Sequence, residues 1–467
     1  MCRRIFGHRA GLFLAVLAAV LFLPSRALSQ TSSSSTSGNT TNNFVQSGVV
    51  VDAEGVLRTK IFTDPGGVLA RERIAAAKTT LDPKLTAYSK LRKVSLNRLE
   101  EAIQQHQGVI TEEMRSLAGL QRISYVFFYP ESKDIVVAGP AEGWITTLSG
   151  RAIGMTTGRP VVQLQDLVVG LRAFPPIGKG TQLIGCSIDP MPEGLAAMQR
   201  FLSSIGSYAT PNQTQTIVEG LRTNLGYHNI SVNGVSPKTH FAQVMVEADY
   251  RMKLIGIGLE KPPVKLVSYV DRASTSDISR NALQRWFFTP DYQCVRVSND
   301  NLAMELVGDG VKLVGENELV SSGGQRQITG GFNRASQAFV TGFTKLYPEL
   351  AERSPVYADL RNLIDVAIAA AFIQQQDFYG KAGWKFEFFG DEKAFSVENY
   401  EIPKTVETVV NAIWKGNRLL TPVGGGVQIQ PAKALESDQL LSDEKGKVAK
   451  LRQETKINLA KGQWWWD

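Results

Sequence analysis

The sequence predicts an α+β fold in which helices and antiparallel sheets are mixed. We expect two closely packed subdomains between a flexible N-terminal spacer and a charged C-terminal tail. Helix-rich and strand-rich blocks alternate along the 467 residues without the regular strand–helix–strand rhythm of a doubly wound sheet. The hydrophobic fraction of 43% is close to that of ordinary globular proteins, so the chain carries enough apolar surface for a core.

Residues 1–29 are predicted to be a signal peptide. Three arginines precede an apolar run from 11 to 24, and the small residues Ala27 and Ser29 offer a cleavage site. The export route, Sec or twin-arginine, stays open, and so does retention of the segment as a membrane anchor. Residues 30–43 are rich in Ser, Thr and Asn and are predicted to be a flexible linker. We therefore expect an exported protein of the periplasm, the cell surface or the extracellular space.

Residues 44–120 are predicted to form an N-terminal helical segment. Asp82 is a suitable cap and Pro83 suits the first helical position. Apolar residues then recur at helical spacing as far as Ile103, which predicts one long helix.

Residues 121–260 are predicted to be an α+β domain. It begins with a hairpin of strands at 123–129 and 134–137, and a further strand follows at 181–188. Apolar spacing from 192 onward predicts two helices.

Apolar spacing over residues 241–255 fits one face of a helix, although a strand over 241–247 is the alternative. Within this stretch, Glu247 precedes Arg251 by four residues, and Asp249 precedes Lys253 by four. Both are favourable helix ion pairs.

Residues 261–348 are predicted to be rich in strands, with a strand at 264–270 and a hairpin formed by 302–307 and 311–314. Residues 349–431 are predicted to be a helical and β segment that closes the core. Its helix begins at Pro355, and over residues 366–372 apolar side chains cover nearly every side, so it should be central and buried.

Residues 432–467 form a densely charged tail, either a solvated helix or disordered chain. The tail ends with Trp464, Trp465 and Trp466. These aromatic side chains would make peripheral contact with a membrane, or they would fold back onto the body of the protein.

Charge and motif content exclude several classes of partner and cofactor. The formal net charge of +7 falls to +3 when the four arginines of residues 1–29 are removed. The remaining excess is spread out, so we expect no nucleic-acid partner. The spacing of the histidines fits no metal motif, and glycine-rich stretches do not match a nucleotide-binding loop, so we expect neither a metal nor a cofactor.

Cys186 and Cys294 remain after removal of the signal segment. In an oxidising compartment they would form a disulfide, or they would be two separately buried thiols.

Carboxylates are the candidates for catalysis, because hydrolases of envelope sugars need only two carboxyl groups a few ångströms apart. The candidate catalytic residues are Glu142, Asp189 and Asp249, and the candidate ligand-binding residues are Trp144, Arg251, Arg285 and Trp286. Glu142 with Trp144 is the most suggestive pair, since an acid beside an aromatic ring is common in sugar sites. Structural roles compete: Asp189 can cap a helix, Asp249 can pair with Lys253, and Trp286 can be a core residue.

Several stretches resemble a family of exported planctomycete bacterial proteins that is known only as a domain of unknown function. They are YVFFYPESKDIVVAGPAEGW (125–144), TGRPVVQLQDL (157–167), SIDPMPEGL (187–195) and FAQVMVEADYRMKLIGIGLE (241–260), with later matches at 302–314, 355–371 and 425–431. The resemblance implies export and an envelope setting. It implies no catalytic residues.

We therefore expect a non-catalytic component that binds or scaffolds in the periplasm or cell envelope, with an envelope protein or a glycan as partner. One alternative is a glycan-directed envelope hydrolase that uses paired carboxylates near Glu142. The other is a peripheral membrane protein docked by its C-terminal tail. The sequence leaves the oligomeric state open.

Overall fold

The computed structural model describes residues 44–205, 211–274, 282–320, 326–328, 333–411, 414–415, 418–419, 423–455, 457 and 459–467. The signal peptide and the linker predicted from the sequence lie outside the described residues.

The described strands, numbered along the chain, are β1 (Phe44–Val51), β2 (Val56–Asp64), β3 (Ser89–Ser95), β4 (Tyr125–Tyr129), β5 (Asp134–Ala141), β6 (Trp144–Thr146), β7 (Ala152–Gly154), β8 (Ile184–Pro190), β9 (Tyr227–Asn233), β10 (Ala282–Pro290), β11 (Val295–Val297), β12 (Ala303–Leu306), β13 (Val311–Val320), β14 (Arg326–Ile328), β15 (Thr405–Glu407), β16 (Trp414–Lys415), β17 (Arg418–Leu419), β18 (Val423–Ile429) and β19 (Trp465–Trp466).

The described α-helices are α1 (Val68–Thr80), α2 (Pro83–Thr86), α3 (Leu96–Gln105), α4 (Glu112–Arg115), α5 (Leu164–Ala173), α6 (Pro192–Ile205), α7 (Thr214–Leu225), α8 (His240–Gly256), α9 (Tyr269–Arg272), α10 (Arg334–Lys345), α11 (Tyr347–Arg353), α12 (Pro355–Gln375), α13 (Phe378–Ala382), α14 (Glu387–Gly390) and α15 (Lys447–Glu454). None of the described helices combines the length and the apolar character needed to cross a membrane.

Two sheets organise these elements and confirm the α+β class. The larger described sheet has the order β1-β2-β15-β9-β8-β18-β10-β13-β14, and the smaller has the order β11-β12-β4-β5-β3-β19. Neighbouring strands are mostly antiparallel. Among the described pairs, β10 with β18 and β15 with β2 are parallel.

Helices α8 and α12 pass through the interior and contact each other. In α12, which is apolar on nearly every face, almost all residues are buried, as the sequence predicts. Helix α8 is also buried on almost every side, which confirms the helical interpretation over the strand alternative. It nevertheless carries four charged residues into the interior, Glu247, Asp249, Arg251 and Lys253. Buried charges need internal partners, and these decide the local chemistry.

The single helix predicted from Asp82 to Ile103 is wrong. Asp82 does cap a helix, accepting a hydrogen bond from the Lys84 amide, but that helix is the one-turn α2. Strand β3 follows, and only then does α3 begin. The partners of β3 are β5 and β19, the second of which lies more than 350 residues away in the chain. Residues 89–95 therefore form a strand although their apolar spacing suits a helix, because they pair with strands from other parts of the chain.

Two strand predictions in the 261–348 region are also wrong. Strands β12 and β13 do not form a hairpin, because β12 pairs with β4 and β11 while β13 pairs with β10 in the other sheet. Residues 264–270 contain no strand, and their last two residues begin the short helix α9. By contrast, β4 and β5 pair as the predicted hairpin.

The described chain is not divided into the two subdomains expected from the sequence, because residues 43–467 group as one unit. The larger sheet draws strands from residue 44 to residue 429 and therefore ties the early and late parts of the chain together.

The C-terminal tail packs onto the body of the protein. Trp464 is buried, and Trp465 and Trp466 form β19 against β3. The Asp467 carboxylate accepts hydrogen bonds from the buried Arg92 guanidinium at 2.9 and 3.0 Å, and that guanidinium stacks over the Trp465 ring. In the described structure the three tryptophans therefore fold back onto the protein, the second of the two alternatives.

Candidate functional site

Lys253 is the centre of a buried polar cluster between α8 and the larger sheet. Its ammonium group donates to Asp249 Oδ2 at 2.7 Å, to the Ile188 carbonyl at 3.0 Å and to the Gly425 carbonyl at 3.1 Å. These are the three bonds that an ammonium group can donate. They tie one turn of α8 to β8 and β18.

Glycines in β18 allow this close packing. A Cβ on Gly425 would lie 1.9 Å from the Trp286 carbonyl oxygen, and its φ of +132° disfavours other residues. A Cβ on Gly426 would lie 1.9 Å from the Cys186 carbonyl oxygen. The glycine run at 424–426 therefore lets β18 fit between β10 and β8, with one carbonyl turned toward Lys253.

Asp189 and Arg285 complete the cluster, which we call the α8 cluster: Asp189, His228, Asp249, Lys253 and Arg285. The Arg285 guanidinium lies 3.1 Å from Asp189 Oδ2. The charges of Asp189 and Arg285 both act on Asp249, in opposite directions. The structure thus brings together Asp189, Asp249 and Arg285, which the sequence analysis proposes separately as site residues.

Burial dominates the electrostatics of the α8 cluster. It raises the pKa of Asp249 to about 6, against the opposing effect of Lys253. It lowers the pKa of His228 to about 4, and the nearby Lys253 charge acts in the same direction. In the described part of the chain, Asp249 Oδ1 and His228 Nε2 are buried and have no hydrogen-bond partner.

Glu142 and Trp144 lie elsewhere, on and beside β6. Glu142 is 1% exposed, and its Oε1 accepts hydrogen bonds from Gln121 Nε2 at 2.8 Å and from the Thr157 amide at 2.9 Å. The Thr157 hydroxyl donates to the same oxygen at 2.6 Å. Trp144 belongs to the hydrophobic core. Glu142 and Trp144 therefore do not form an open surface on which a sugar ring could stack.

The other two candidate ligand-binding residues are also internal. Arg251 pairs with Glu260 at 2.7 Å and lies 3.5 Å from Glu247. Trp286 is fully buried, and its ring nitrogen donates to Ser336 Oγ at 2.9 Å. Both residues therefore have structural roles: Arg251 forms ion pairs, and Trp286 is a core residue.

Cys186 and Cys294 are free, buried thiols, so the disulfide alternative does not hold in the structure. Cys186 lies in β8 of the larger sheet, whereas Cys294 precedes β11 of the smaller one. Burial raises the pKa of Cys294 to about 12 and that of Cys186 well above its usual value. Both therefore behave as small apolar side chains rather than reactive thiols.

An apolar cavity of about 150 Å³ lies between α1 and the hairpin of β6 and β7, with β2 at its side. We call it the α1 pocket. Its apolar walls come from Phe62, Leu69, Ile74, Ile145, Ile153 and Met155. The lining holds two charged residues, Asp64 and Arg73. Small-molecule sites usually have mostly apolar walls and a small number of polar groups, as this pocket does.

Local sequence explains how the α1 pocket is framed. Asp64 accepts hydrogen bonds from the Leu69 and Ala70 amides at 3.1 and 2.9 Å, which fixes the start of α1. Opposite α1, a Cβ on Gly154 would lie 1.9 Å from Glu142 Oε1. Glu142 therefore lies directly behind the pocket wall and holds it through Thr157, itself a lining residue.

A second, more polar cavity of about 340 Å³ lies between α5 and the chain around 392–399. Arg172 lines it, but its guanidinium already donates to the Phe389 carbonyl at 2.7 Å and to the Phe395 carbonyl. The lining contains no aromatic side chain on which a sugar could stack. This cavity is the weaker candidate for a ligand site.

Comparison with known proteins matches one segment. Residues 186–269 match the family model described as protein of unknown function (DUF1598). The match confirms the resemblance to a family of unknown function. No curated protein and no solved structure matches the chain.

The DUF1598 segment contains four of the five residues of the α8 cluster, all but Arg285. It runs from β8 to the start of α9 and so includes the whole of α8. The segment therefore supplies α8 and most of β8 to the buried junction between α8 and the larger sheet, whereas β10, β18 and the α1 pocket lie outside it.

Sequence reasoning missed the α1 pocket and the central role of Lys253. The i,i+4 spacing of Asp249 and Lys253 indicates an ion pair but not its burial. A signal for the pocket does exist after Gly66 and Gly67, where Leu69, Ala70, Arg73 and Ile74 recur at helical spacing. That pattern is short, and none of the residues of α1 is fully buried, so it does not stand out as a core helix.

Proposed function

We propose that the protein is an exported, non-catalytic binding protein of the periplasm or cell envelope, and that it holds a small ligand with an apolar body in the α1 pocket. The observation that carries this proposal is the cavity between α1 and the hairpin of β6 and β7. Scaffolding alone would not need such a cavity.

The size and chemistry of the α1 pocket support a small ligand. An engineered apolar cavity of about 150 Å³ in another protein stays dry and binds benzene. The α1 pocket has about the same volume, so it suits one aromatic ring or a short acyl chain. Burial of such a group would contribute roughly 25 cal/mol for each Å² of apolar surface removed from water.

The frame of the α1 pocket supports a preformed site. Glu142 holds Thr157 on one side by two hydrogen bonds, and Asp64 holds the first turn of α1 on the other. Arg73 donates to the Thr146 carbonyl and so links α1 to β6 directly. A preformed pocket loses little conformational entropy when a ligand binds.

The arrangement of the carboxylates favours binding over hydrolysis. Glu142 is held by Gln121 and Thr157, Asp249 by Lys253, and Asp189 pairs with Arg285. A glycan hydrolase needs one acid and one ionised partner that face each other across an accessible substrate cleft. Glu142 and Asp249 are almost fully buried, and different elements hold them.

Export is the part of the proposal that rests on residues 1–29. We expect the mature chain to begin at Gln30 and to be found outside the cytoplasm of its host. Cell fractionation measures the location of the protein, and N-terminal sequencing of the recovered chain identifies its first residue. Recovery of the chain from the cell interior with Met1 still attached would contradict this part of the proposal.

Binding to the α1 pocket is tested with small neutral aromatic probes. We expect toluene to bind the purified protein saturably at one site, with a Kd on the order of 0.1–1 mM for a ligand of this size. Calorimetry gives the stoichiometry, and a rise in Tm with toluene concentration checks it independently. Absence of saturable binding up to the solubility limit of toluene would refute the proposed ligand site.

Two alanines of α1 provide a matched pair of variants. Ala70 lines the α1 pocket, so Ala70→Phe should fill it and abolish toluene binding. Ala75 is exposed on the same helix and does not line the pocket, so Ala75→Phe should bind as the wild type does. Equal binding by both variants would place the probe elsewhere.

A further inference from the structure

We infer that the ligand of the α1 pocket carries a single anionic group, and that Arg73 is the residue that binds it. The inference rests on the proposed function and names the ligand class: a monocarboxylic acid with an aromatic or short acyl body. It is carried by Arg73, a cation at an apolar cavity that has no carboxylate partner among the residues that the structure describes.

Arg73 is half-buried on the face of α1 that lines the cavity. Its guanidinium donates to one protein acceptor, the Thr146 carbonyl, through Nη1. Among the described residues, no carboxylate oxygen lies within 4 Å of it. A guanidinium has five N–H donors, so most of them remain available to a ligand.

The other charge in the lining, Asp64, is already committed. Each of its carboxylate oxygens accepts a backbone amide of α1, from Leu69 and from Ala70. The helix N-terminus therefore compensates its negative charge. Because Asp64 is bound by these amides, it does not neutralise Arg73, and the guanidinium is the charge in the pocket lining that a ligand could neutralise.

Most of the largely buried arginines elsewhere in the described chain have a carboxylate within 3.0 Å: Arg92 with Asp467, Arg122 with Asp365, Arg151 with Glu247 and Asp359, Arg251 with Glu260, and Arg452 with Asp300. Arg285 and Arg361 lie 3.1 and 3.8 Å from a carboxylate. Half-buried Arg172 is bonded to three backbone carbonyls, whereas half-buried Arg73 donates to one carbonyl and adjoins an apolar cavity. A bound carboxylate would supply the missing partner, and a planar guanidinium can hold both of its oxygens.

Two of the three threonine hydroxyl groups of the lining, those of Thr147 and Thr157, are already hydrogen-bonded within the protein. Thr157 donates to Glu142, and the Thr147 hydroxyl accepts the Arg151 amide and contacts Ser149. A ligand with several hydroxyl groups, such as a sugar, would therefore lose its hydration without full replacement. The walls instead favour an apolar body, with its charged group directed toward Arg73.

Three probes of nearly equal size separate the effects of charge and shape: toluene, benzoate and benzylamine. We expect benzoate to bind about tenfold more tightly than toluene, because a charge-assisted hydrogen bond to a partly exposed arginine contributes on this scale. Benzylamine should bind more weakly than toluene. Raising the salt concentration should weaken benzoate binding and leave toluene binding unchanged.

Arg73→Gln should remove the preference for benzoate over toluene, measured as the ratio of the two Kd values. An effect of the substitution on the pocket that changes both Kd values alike cancels in this ratio. Arg71→Gln is the matched control, because Arg71 carries the same charge on the same helix, is exposed and does not line the pocket. It should keep the tenfold preference.

The outcomes of this experiment are distinct. If toluene does not bind, the proposed function fails together with the inference. If toluene binds and benzoate binds no better, the inference is overturned and the proposed function stands. Retention of the benzoate preference in Arg73→Gln would also overturn it.

Discussion

Lys253→Met is expected to lower the free energy of unfolding by about 3–5 kcal/mol, the range typical when one partner of a buried ion pair is removed. The substitution leaves the Asp249 carboxylate without its cation at 0% exposure. It also leaves the Ile188 and Gly425 carbonyls without the donor that they share. Urea denaturation of the variant and the wild type at pH 7 measures the difference.

A surface pair with the same geometry is the control for this prediction. Lys312 Nζ lies 2.7 Å from Asp291 Oδ1, as Lys253 Nζ does from Asp249 Oδ2, but the two side chains are 48% and 37% exposed. Lys312→Met should therefore cost about 1 kcal/mol or less. Adding Asp249→Leu to Lys253→Met should recover most of the loss, since no buried charge remains unpaired. Equal losses in the two single variants would contradict the structural role assigned to Lys253.

His228→Asn is expected to change how stability depends on pH. Burial and Lys253 lower the pKa of His228 from 6.5 to about 4 in the folded protein. Between these values the unfolded chain binds the proton and the folded protein does not, so the histidine contributes stability that rises with pH. The contribution is complete above pH 6.5 and is lost as the pH falls toward 4. A shift of this size corresponds to about 3 kcal/mol.

The measurement compares the free energy of unfolding of the wild type and of His228→Asn at several pH values from 4 to 7. The difference between them should grow by about 3 kcal/mol in favour of the wild type over this range. Burial raises the pKa of Asp249 to about 6, which acts in the opposite direction, but this effect is present in both proteins and cancels. His106→Asn, at an exposed position, controls for the loss of an imidazole. A difference that does not vary with pH would show that His228 is not buried in a neutral form.

The elements predicted correctly are those whose pattern is long and local. Helix α12 is apolar on nearly every face, and the hairpin of β4 and β5 is closed by a short turn. Such signals are complete within one segment of chain. Strand β3 could not be predicted in this way, because it pairs with β5 and β19, which lie in other parts of the chain.

The candidate residues were only partly predictable. Asp189, Asp249 and Arg285 are recognisable as charged residues beside apolar sequence, but their meeting depends on the neighbours of β18 in the larger sheet. The sequence also suggests Glu142 with Trp144 as an acid beside an aromatic ring in a sugar site. Tertiary packing instead buries both and leaves Glu142 to support the wall of the α1 pocket.

The pairing of β19 with β3 has a consequence for biosynthesis. Residues 465 and 466 pair with residues 94 and 93, so this edge of the smaller sheet stays uncovered until residues 465 and 466 have been synthesised. Contacts between such distant parts of a chain are slow to form. The pairing of β19 with β3 is therefore expected to be among the last parts of the smaller sheet to form.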